Sequence, residues 1–469
     1  MFLKVASKKN KSPSSVDNSL QEGFFISTKK VNIVVSKQHY MYKVKNSSRN
    51  ITPFGGLNLL YDAITRVGIA DFLNKKLGSR SLNATYSYAD AVLCLFGVSM
   101  SQGSFLSDIA QFKSKFSQQV FNNIPSADTM EYMCQELKSP TKTITTISPK
   151  KEITHELNYN QELNETLVAL AVKLKQLRVG ESNILDFDNV VIPTEKQDAK
   201  MSYKMEEGYH PGIAFINRIS VHIENHNGNT PARYQQRETL ERCFDNLDKN
   251  GIRVDYFRAD SASCQNDVFE LIEKRGKYFY IRMVDFGDMR LQYSEIIHWK
   301  KVEINYQEIE VAHIYYCPAK GKTAYRIVVT RHKRKDEQID LLTGSAYTYQ
   351  GIITNDQLVG MKDVIEFYNG RGDSEKSNSY LLNDFNLCHL PFPDMDTNTV
   401  YMYLVAMSSI IFEWAKTILV ENQVPKITIA MRTKAVCFHY VMVAATIVNH
   451  ARESILHFFS PVEYSILRI

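Results

Sequence analysis

The 469-residue sequence predicts an α/β protein built on a mixed sheet, and three observations carry that expectation. Residues 183–286 run through apolar-rich and amphipathic stretches in the order strand, strand, strand, helix, strand, helix, strand. Helical periodicity instead dominates residues 54–137 and the tail beyond 397. A hydrophobic share of 44% with 23% charged residues is that of a soluble globular protein, and the length exceeds one ordinary core.

From the start of the chain, residues 1–49 hold ten Lys/Arg against Asp17 and Glu22, a surplus of eight beside a net charge of +5 for the whole. Such an arm suits a polyanion partner, nucleic acid above all, and equally a plain solvated terminus. Inside it, residues 29–45 alternate apolar and basic positions as a strand or hairpin does. "LNLLYDAITRVGIADFLNKKLG" reads as a helix ending on Gly78, and Ser126 is placed to cap another. These helices make either a small DNA-binding bundle or an ordinary helical domain. Residues 139–154, rich in Thr, Ser, Pro and Lys, read as a linker. A helix, "NETLVALAVKLKQLRVG", then runs to Gly180.

The expected strands of the central part are "NILDFDNVVI" (183–192), "GIAFINRI" (212–219), "SVHIENHNG" (220–228), "RVDYFRADS" (253–261) and "YFYIRMVDF" (278–286). The helices between them are 237–251, with Leu240, Phe244 and Leu247 at helical spacing, and 266–276. Residues 287–355 return to period two and read as a β-rich insertion, while 397–469 read as helical, with 434–456 as one main segment. The domain division is therefore 1–50 (basic arm with hairpin), 51–140 (helical, the candidate DNA-binding part), 141–182 (linker and helix), 183–286 (α/β core, first part), 287–355 (insertion), 356–395 (returning core helix) and 396–469 (C-terminal helical domain).

Several classes are disfavoured. Seven scattered cysteines without a CxxC pair indicate neither a zinc knuckle nor a disulfide framework. The opening "MFLKVASKKNKSPSS" lacks the apolar core of a signal peptide. The run 435–448 falls short of the ~20 residues of a membrane helix, so no membrane partner and a cytoplasmic setting are expected. That setting counts against an adhesion role for Arg371-Gly372-Asp373. "HIENH" (222–226) has the wrong spacing and context for a zinc protease, "AKGKT" (319–323) lacks the first glycine of a phosphate loop, and His450 and Arg452 read as surface residues of a helix.

The strand–helix order matches a ribonuclease-H-like fold. Asp188 falls late on the first strand and Asp260 at the end of the fourth, and these strands are sheet neighbours in that fold. Carboxylates at strand ends sit where ligands bind in α/β sheets, although strand-end aspartates also serve as plain turn formers. Asp186 shares a face with Asp188, about 7 Å away, and competes for the role. Tyr368, Arg371 and Glu375 have offsets of three and four, placing them on one helical stripe despite Gly370 and Gly372. Glu375 supplies a third carboxylate, and Arg371 a five-donor fork for a phosphate. Three hard oxygen donors suit Mg²⁺ or Mn²⁺, with two ions ~4 Å apart for in-line phosphoryl displacement.

"LDFDN", "FRADSAS" and "YNGRGDSE", with "YKMEEGYHPGIAF", "IENHNGNTPARYQQRETL" and "RTKAVCFHYVMVAATIVNHAR", resemble the DDE transposases of bacterial insertion sequences, in the cut-and-paste branch with a Tyr-Arg-Glu-Lys signature. The resemblance covers about 180–460. It implies Asp188, Asp260 and Glu375 as catalytic, metal-binding triad, and Tyr368 and Arg371 as DNA-backbone contacts. The signature lysine is replaced by Leu382, with Lys376 the nearest substitute, about 100° round the helix from Glu375. The family's insertion carries an aromatic that stacks on a flipped base; Trp299 either fills that role or packs in the core. Double-stranded DNA, both terminal inverted repeats and target, and a homodimer on DNA are the partners implied. The alternatives are a ribonuclease-H-like nuclease without strand transfer and a non-catalytic DNA-binding descendant.

Overall fold

The computed structural model describes residues 51–116, 121–148, 151–319, 321–334, 338–450 and 453–469. The expected basic arm and hairpin of 1–50 lie outside the described residues, as does Arg452. A short strand β1 (Ile51–Thr52) leads into helices α1 (Gly55–Val67), α2 (Ile69–Leu77), α3 (Tyr88–Met100), α4 (Ile109–Lys115) and α5 (Ala127–Leu137). The single helix expected to end on Gly78 is two, because Gly68, at φ 71°, caps α1 in the left-handed region that glycine adopts freely. Ser87 and Asp90 form a reciprocal capping box at the start of α3, and Ser126 caps α5 as its position predicts.

The stretch read as a linker is instead a hairpin, β2 (Lys142–Ser148) and β3 (Lys151–Asn158), whose alternating Thr and Ile residues outweigh the flanking Ser, Pro and Lys. Helix α6 (Gln161–Lys173) follows, capped by Asn160 and ending before the expected Gly180. Then come β4 (Asn183–Asn189), three short strands β5 (Ile192–Pro193), β6 (Lys200–Met201) and β7 (Glu207–Tyr209) in a sheet of their own, β8 (Gly212–Ile216) and β9 (Ile219–His226). The small sheet has no counterpart in the sequence reading. Helix α7 (Gln236–Lys249), β10 (Val254–Ala259), α8 (Asn266–Lys274) and β11 (Tyr278–Arg282) complete the anticipated order.

These five strands lie in the order β9-β8-β4-β10-β11. β8 runs antiparallel to β4 and to β9, while β4, β10 and β11 are mutually parallel. Third, second, first, fourth, fifth is the order of a ribonuclease-H-like sheet, as expected. The region 287–355 contributes helix α9 (Gly287–Ser294) and strands β12 (Lys300–Ile304), β13 (Gln307–Tyr316), β14 (Tyr325–Lys333) and β15 (Tyr347–Thr354). It is β-rich and lies between β11 and the returning helices, and it continues the sheet: β15 pairs antiparallel with β11, and β2–β3 join at the other side, giving eleven strands among the described residues.

Helices α10 (Met361–Asn369) and α11 (Gly372–Ser379) return across the sheet. Helix α12 (Met395–Glu421), capped by Asp394, is long and apolar enough to cross a membrane, yet 89% of its apolar window is buried against α3, α5, α6 and β9. It is the core helix of this molecule. The segment 434–456, expected to be helical, is corrected: α13 (Thr433–Val436) and a π-turn give way to β16 (Ala445–His450), which pairs with β1, and β17 (Glu453–Phe458), which pairs with β16. Thr446, Ile447 and Val448 are β-branched and stiff at χ1, which favours a strand. His450 accordingly ends a strand rather than a helix.

Candidate active site

The parallel pairing of β4 with β10 puts Ala259 beside Phe187, so the residues that follow are neighbours at the carboxyl edge: Asp188, still paired with Ile213 of β8, and Asp260, just past the end of β10. Asp260 caps a short 3₁₀ turn, its Oδ1 accepting from the Ala262 amide at 3.0 Å. Asp188 accepts from the Asn189 amide at 3.1 Å and from Asn378 Nδ2 at 3.3 Å. Burial pushes the Asp188 carboxyl up to about 6; Arg371 opposes this, and the negative charges of Asp260 and Glu375 reinforce it.

Tyr368, Arg371 and Glu375 reach this edge on α10 and α11, which continue one another through helical dihedrals at Gly370 and Arg371. Gly370 is required by a neighbour: a Cβ there would lie 2.5 Å from Arg258 Nη1. Arg258 donates to both oxygens of Asp186, at 2.7 Å each, and to the Phe367 carbonyl at 2.8 Å. It is the strut that fixes the helix over β4 and β10. Asp186, which competed with Asp188 in the sequence, is thereby committed to structure.

Arg371 donates from Nη2 to Glu375 Oε1 at 2.8 Å, and its Nη1 lies 3.7 Å from Asp188 Oδ2. A cleft of about 230 Å³ opens alongside, lined by Tyr368, Arg371 and Glu375 with Arg282, Thr330 and Gln350. The sequence reading missed Asn378, which holds Asp188, and Arg282, exposed at the end of β11. Asn378 stands three residues after Glu375, one helical step that could have drawn attention to it.

The other expected site residues lie differently. Lys376 is exposed on α11, and Leu382 is a half-buried core contact, so position 382 offers apolar packing. Trp299 donates its indole N–H to the Ile296 carbonyl at 2.8 Å and is covered by the Arg331 guanidinium, 4.4 Å from its ring. Its partners Arg331 and Tyr349 face each other across β14 and β15, next to the cleft-lining pair Thr330 and Gln350. Neighbours along a strand point to opposite faces, so Trp299 packs on the side of the sheet away from the cleft. Of its two sequence roles, core packing is the one its surroundings provide.

A divalent cation fits this donor set in chemistry: hard carboxylates near one another, one of them pushed toward protonation by burial and by its acidic neighbours. The expected cage of three is not assembled, since among the described residues no three His, Cys, Asp or Glu side chains converge on one ion position. Arg371 supplies the positive charge between Asp188 and Glu375.

The family described as transposase DDE domain group 1 matches residues 37–467. No curated protein matches. Among solved structures, a piggyBac transposase synaptic complex with hairpin DNA is similar over 83% of this chain and 79% of that one, at 9% identity and a TM-score of 0.41. The Mos1 strand transfer complex is similar over 44% of this chain and 60% of that one, at 12% identity and a TM-score of 0.16. The family match spans most of the sequence and ends two residues from its last, and on that ground the chain belongs to the transposase DDE domain group 1 family.

Proposed function

We propose that this chain is an insertion-sequence transposase, of bacterial type, that binds the terminal inverted repeats of its own element, cuts DNA there, and joins the freed 3′-hydroxyl to target DNA. The observation that carries the proposal is the placement of Asp188 and Asp260 at the ends of adjacent parallel strands, under the helix bearing Arg371 and Glu375. Asp188, Asp260 and Glu375 would hold two divalent ions, Mg²⁺ or Mn²⁺, once brought together. When bound, those ions supply charge neutralisation at the phosphate and activation of the attacking hydroxyl. Arg371 and Tyr368 grip the DNA backbone beside the scissile bond, and Arg282 extends the same cleft. Asn378 keeps the Asp188 carboxylate facing the site.

End recognition is assigned to the basic arm and the helices of 51–140, with Lys376 standing in for the signature lysine as a backbone contact. The assembly is a homodimer on DNA, acting in the cytoplasm on the nucleoid. The unassembled carboxylate cage favours one second reading, a DNA-binding descendant that no longer cleaves. Glu375→Gln tests both. The proposal expects retained DNA binding with cleavage and joining reduced by several orders of magnitude in Mg²⁺. Cleavage unchanged in the variant removes Glu375 from the site, and DNA retention without any cleavage by the native chain favours the second reading.

A further inference from the structure

The Arg371 guanidinium stands where a metal-binding site needs a cation. Its Nη2 is engaged by Glu375 at 2.8 Å, while Nη1 lies 3.7 Å from Asp188, beyond hydrogen-bond reach. Nη1 is buried and has no hydrogen-bond partner beyond a weak contact with the Tyr368 hydroxyl, and that hydroxyl has no other partner either. Buried polar groups are rarely left unanswered, and two at one cleft mark a place prepared for an acceptor. That cleft also receives Thr330, Gln350 and the exposed Arg282, whose side chain has no hydrogen bond or ion pair among the described residues. The wall is rich in donors and carries two guanidinium groups, the chemistry of a phosphate subsite.

The hold on Arg371 is light. Glu375 is 65% exposed and four residues along the same helix, a geometry in which ion pairs are weak. We propose that Arg371 exchanges partners: without DNA it substitutes for the divalent cation between Asp188 and Glu375, and a DNA-backbone phosphate entering the cleft draws it off, freeing both carboxylates for metal. The inference rests on the assignment of Asp188, Asp260 and Glu375 as the metal-binding set, and it adds the order in which that set is completed. Coupling of this kind is reciprocal, so DNA tightens metal binding and metal tightens DNA binding by the same factor. A transposase so built keeps its metal site closed until a DNA strand is in place, which disfavours metal-driven chemistry away from DNA.

The test is a Mn²⁺ titration of the full chain followed by electron paramagnetic resonance of the free ion, with melting temperature as the check on folding. Arg371→Met keeps an apolar stem against Tyr368 and removes the charge; Arg371→Gln is the second neutral variant should the first fail to fold. Either is expected to bind Mn²⁺ roughly tenfold more tightly than the native chain in the absence of DNA. Arg371→Lys, which retains a charge, stays near native affinity. A bound duplex of arbitrary sequence at low salt tightens Mn²⁺ binding in the native chain and leaves the neutral variants unmoved. Equal or weaker Mn²⁺ binding by the neutral variants, or a native affinity indifferent to bound duplex, overturns the exchange. Adding Asp188→Asn to a neutral variant separates the two levels: if Mn²⁺ still binds as tightly, the assignment of the metal site itself is wrong.

Discussion

Asp186 and Asp188 share one face of β4, two residues apart, and their surroundings are opposites. Asp186 is 3% exposed and receives a two-pronged guanidinium at 2.7 Å from Arg258, which also ties down α10. Asp188 has a backbone amide, a long amide contact from Asn378 and a guanidinium at 3.7 Å. Glu224 on β9 belongs with Asp186: it is fully buried and accepts from Arg242 twice, from Thr239 and from His222. A carboxylate whose acceptors are filled is part of the frame. Asp188, at the open edge of the sheet, has longer and fewer donors and keeps capacity for a further partner.

The sharpest way to break this contrast is Asp188→Asn. Strand cleavage should fall by several orders of magnitude, while the metal-free protein becomes more stable at pH 7 by about 1–2 kcal/mol. The sign follows from the raised carboxyl, at about 6. In the fold the charged form is disfavoured, so the native chain carries no penalty below the unfolded value near 4. The penalty grows as pH rises through 6 and then stays constant. Urea unfolding in EDTA at pH 4 and pH 7 measures this, and a variant less stable than native at pH 7 would put Asp188 in the frame with Asp186.

Arg258→Met attacks the filled end of the same strand. Removing one partner of a buried pair leaves Asp186 charged and unanswered, and should cost about 3–5 kcal/mol. Phe367 loses its anchor as well, so DNA cleavage falls through displacement of Arg371 and Glu375. A double variant, Arg258→Met with Asp186→Leu, should recover most of the stability and little of the cleavage. Recovery of both would show that the strut has no part in positioning the helix.

Glu224→Gln makes the smaller third change. Burial pushes this carboxyl up, but donors from His222, His226 and Arg242 more than offset it and hold it well below the usual range. Its contribution is therefore present above about pH 4.3 and lost as pH falls further, the reverse of Asp188. The variant should be less stable than native by about 2 kcal/mol at pH 7. The gap should narrow in acid, and a gap constant from pH 7 to pH 3 would contradict the assignment.

The same contrast explains what the sequence makes legible. Asp188 and Asp260 are visible because strand ends are marked by a change of period, and the five-strand order follows from those marks. The partners of Asp186 and Glu224 are invisible: Arg258 and Arg242 look like ordinary strand and helix cations until three-dimensional pairing brings them in. Arg282 and Asn378 escape for the same reason, since each meets the site through the sheet or the helix register and not through a motif. Sequence and structure differ where local composition and tertiary pairing disagree. The 142–158 hairpin was hidden by Pro, Ser and Lys, and the 445–458 hairpin by an apolar run that suits a helix equally well until a π-turn ends it.

Lys376 gives the smallest expected effect and the finest resolution. It is exposed on α11, next to Glu375 in sequence but round the helix from it, whereas Leu382 is packed against the core and cannot present a charge without unpacking. If Lys376 takes over the backbone contact of the signature lysine, Lys376→Ala should leave stability within about 0.5 kcal/mol. Its DNA affinity should drop by a similar factor on every sequence, and the slope of log affinity against log salt should shrink by about one. Arg371→Lys, in the cleft itself, should keep that slope and lose cleavage, because a point charge replaces a fork. An unchanged salt slope in Lys376→Ala would leave the phosphate contacts of this helix to Arg371 and Tyr368 alone, and the cleft side of α11 would then be its whole DNA-facing surface.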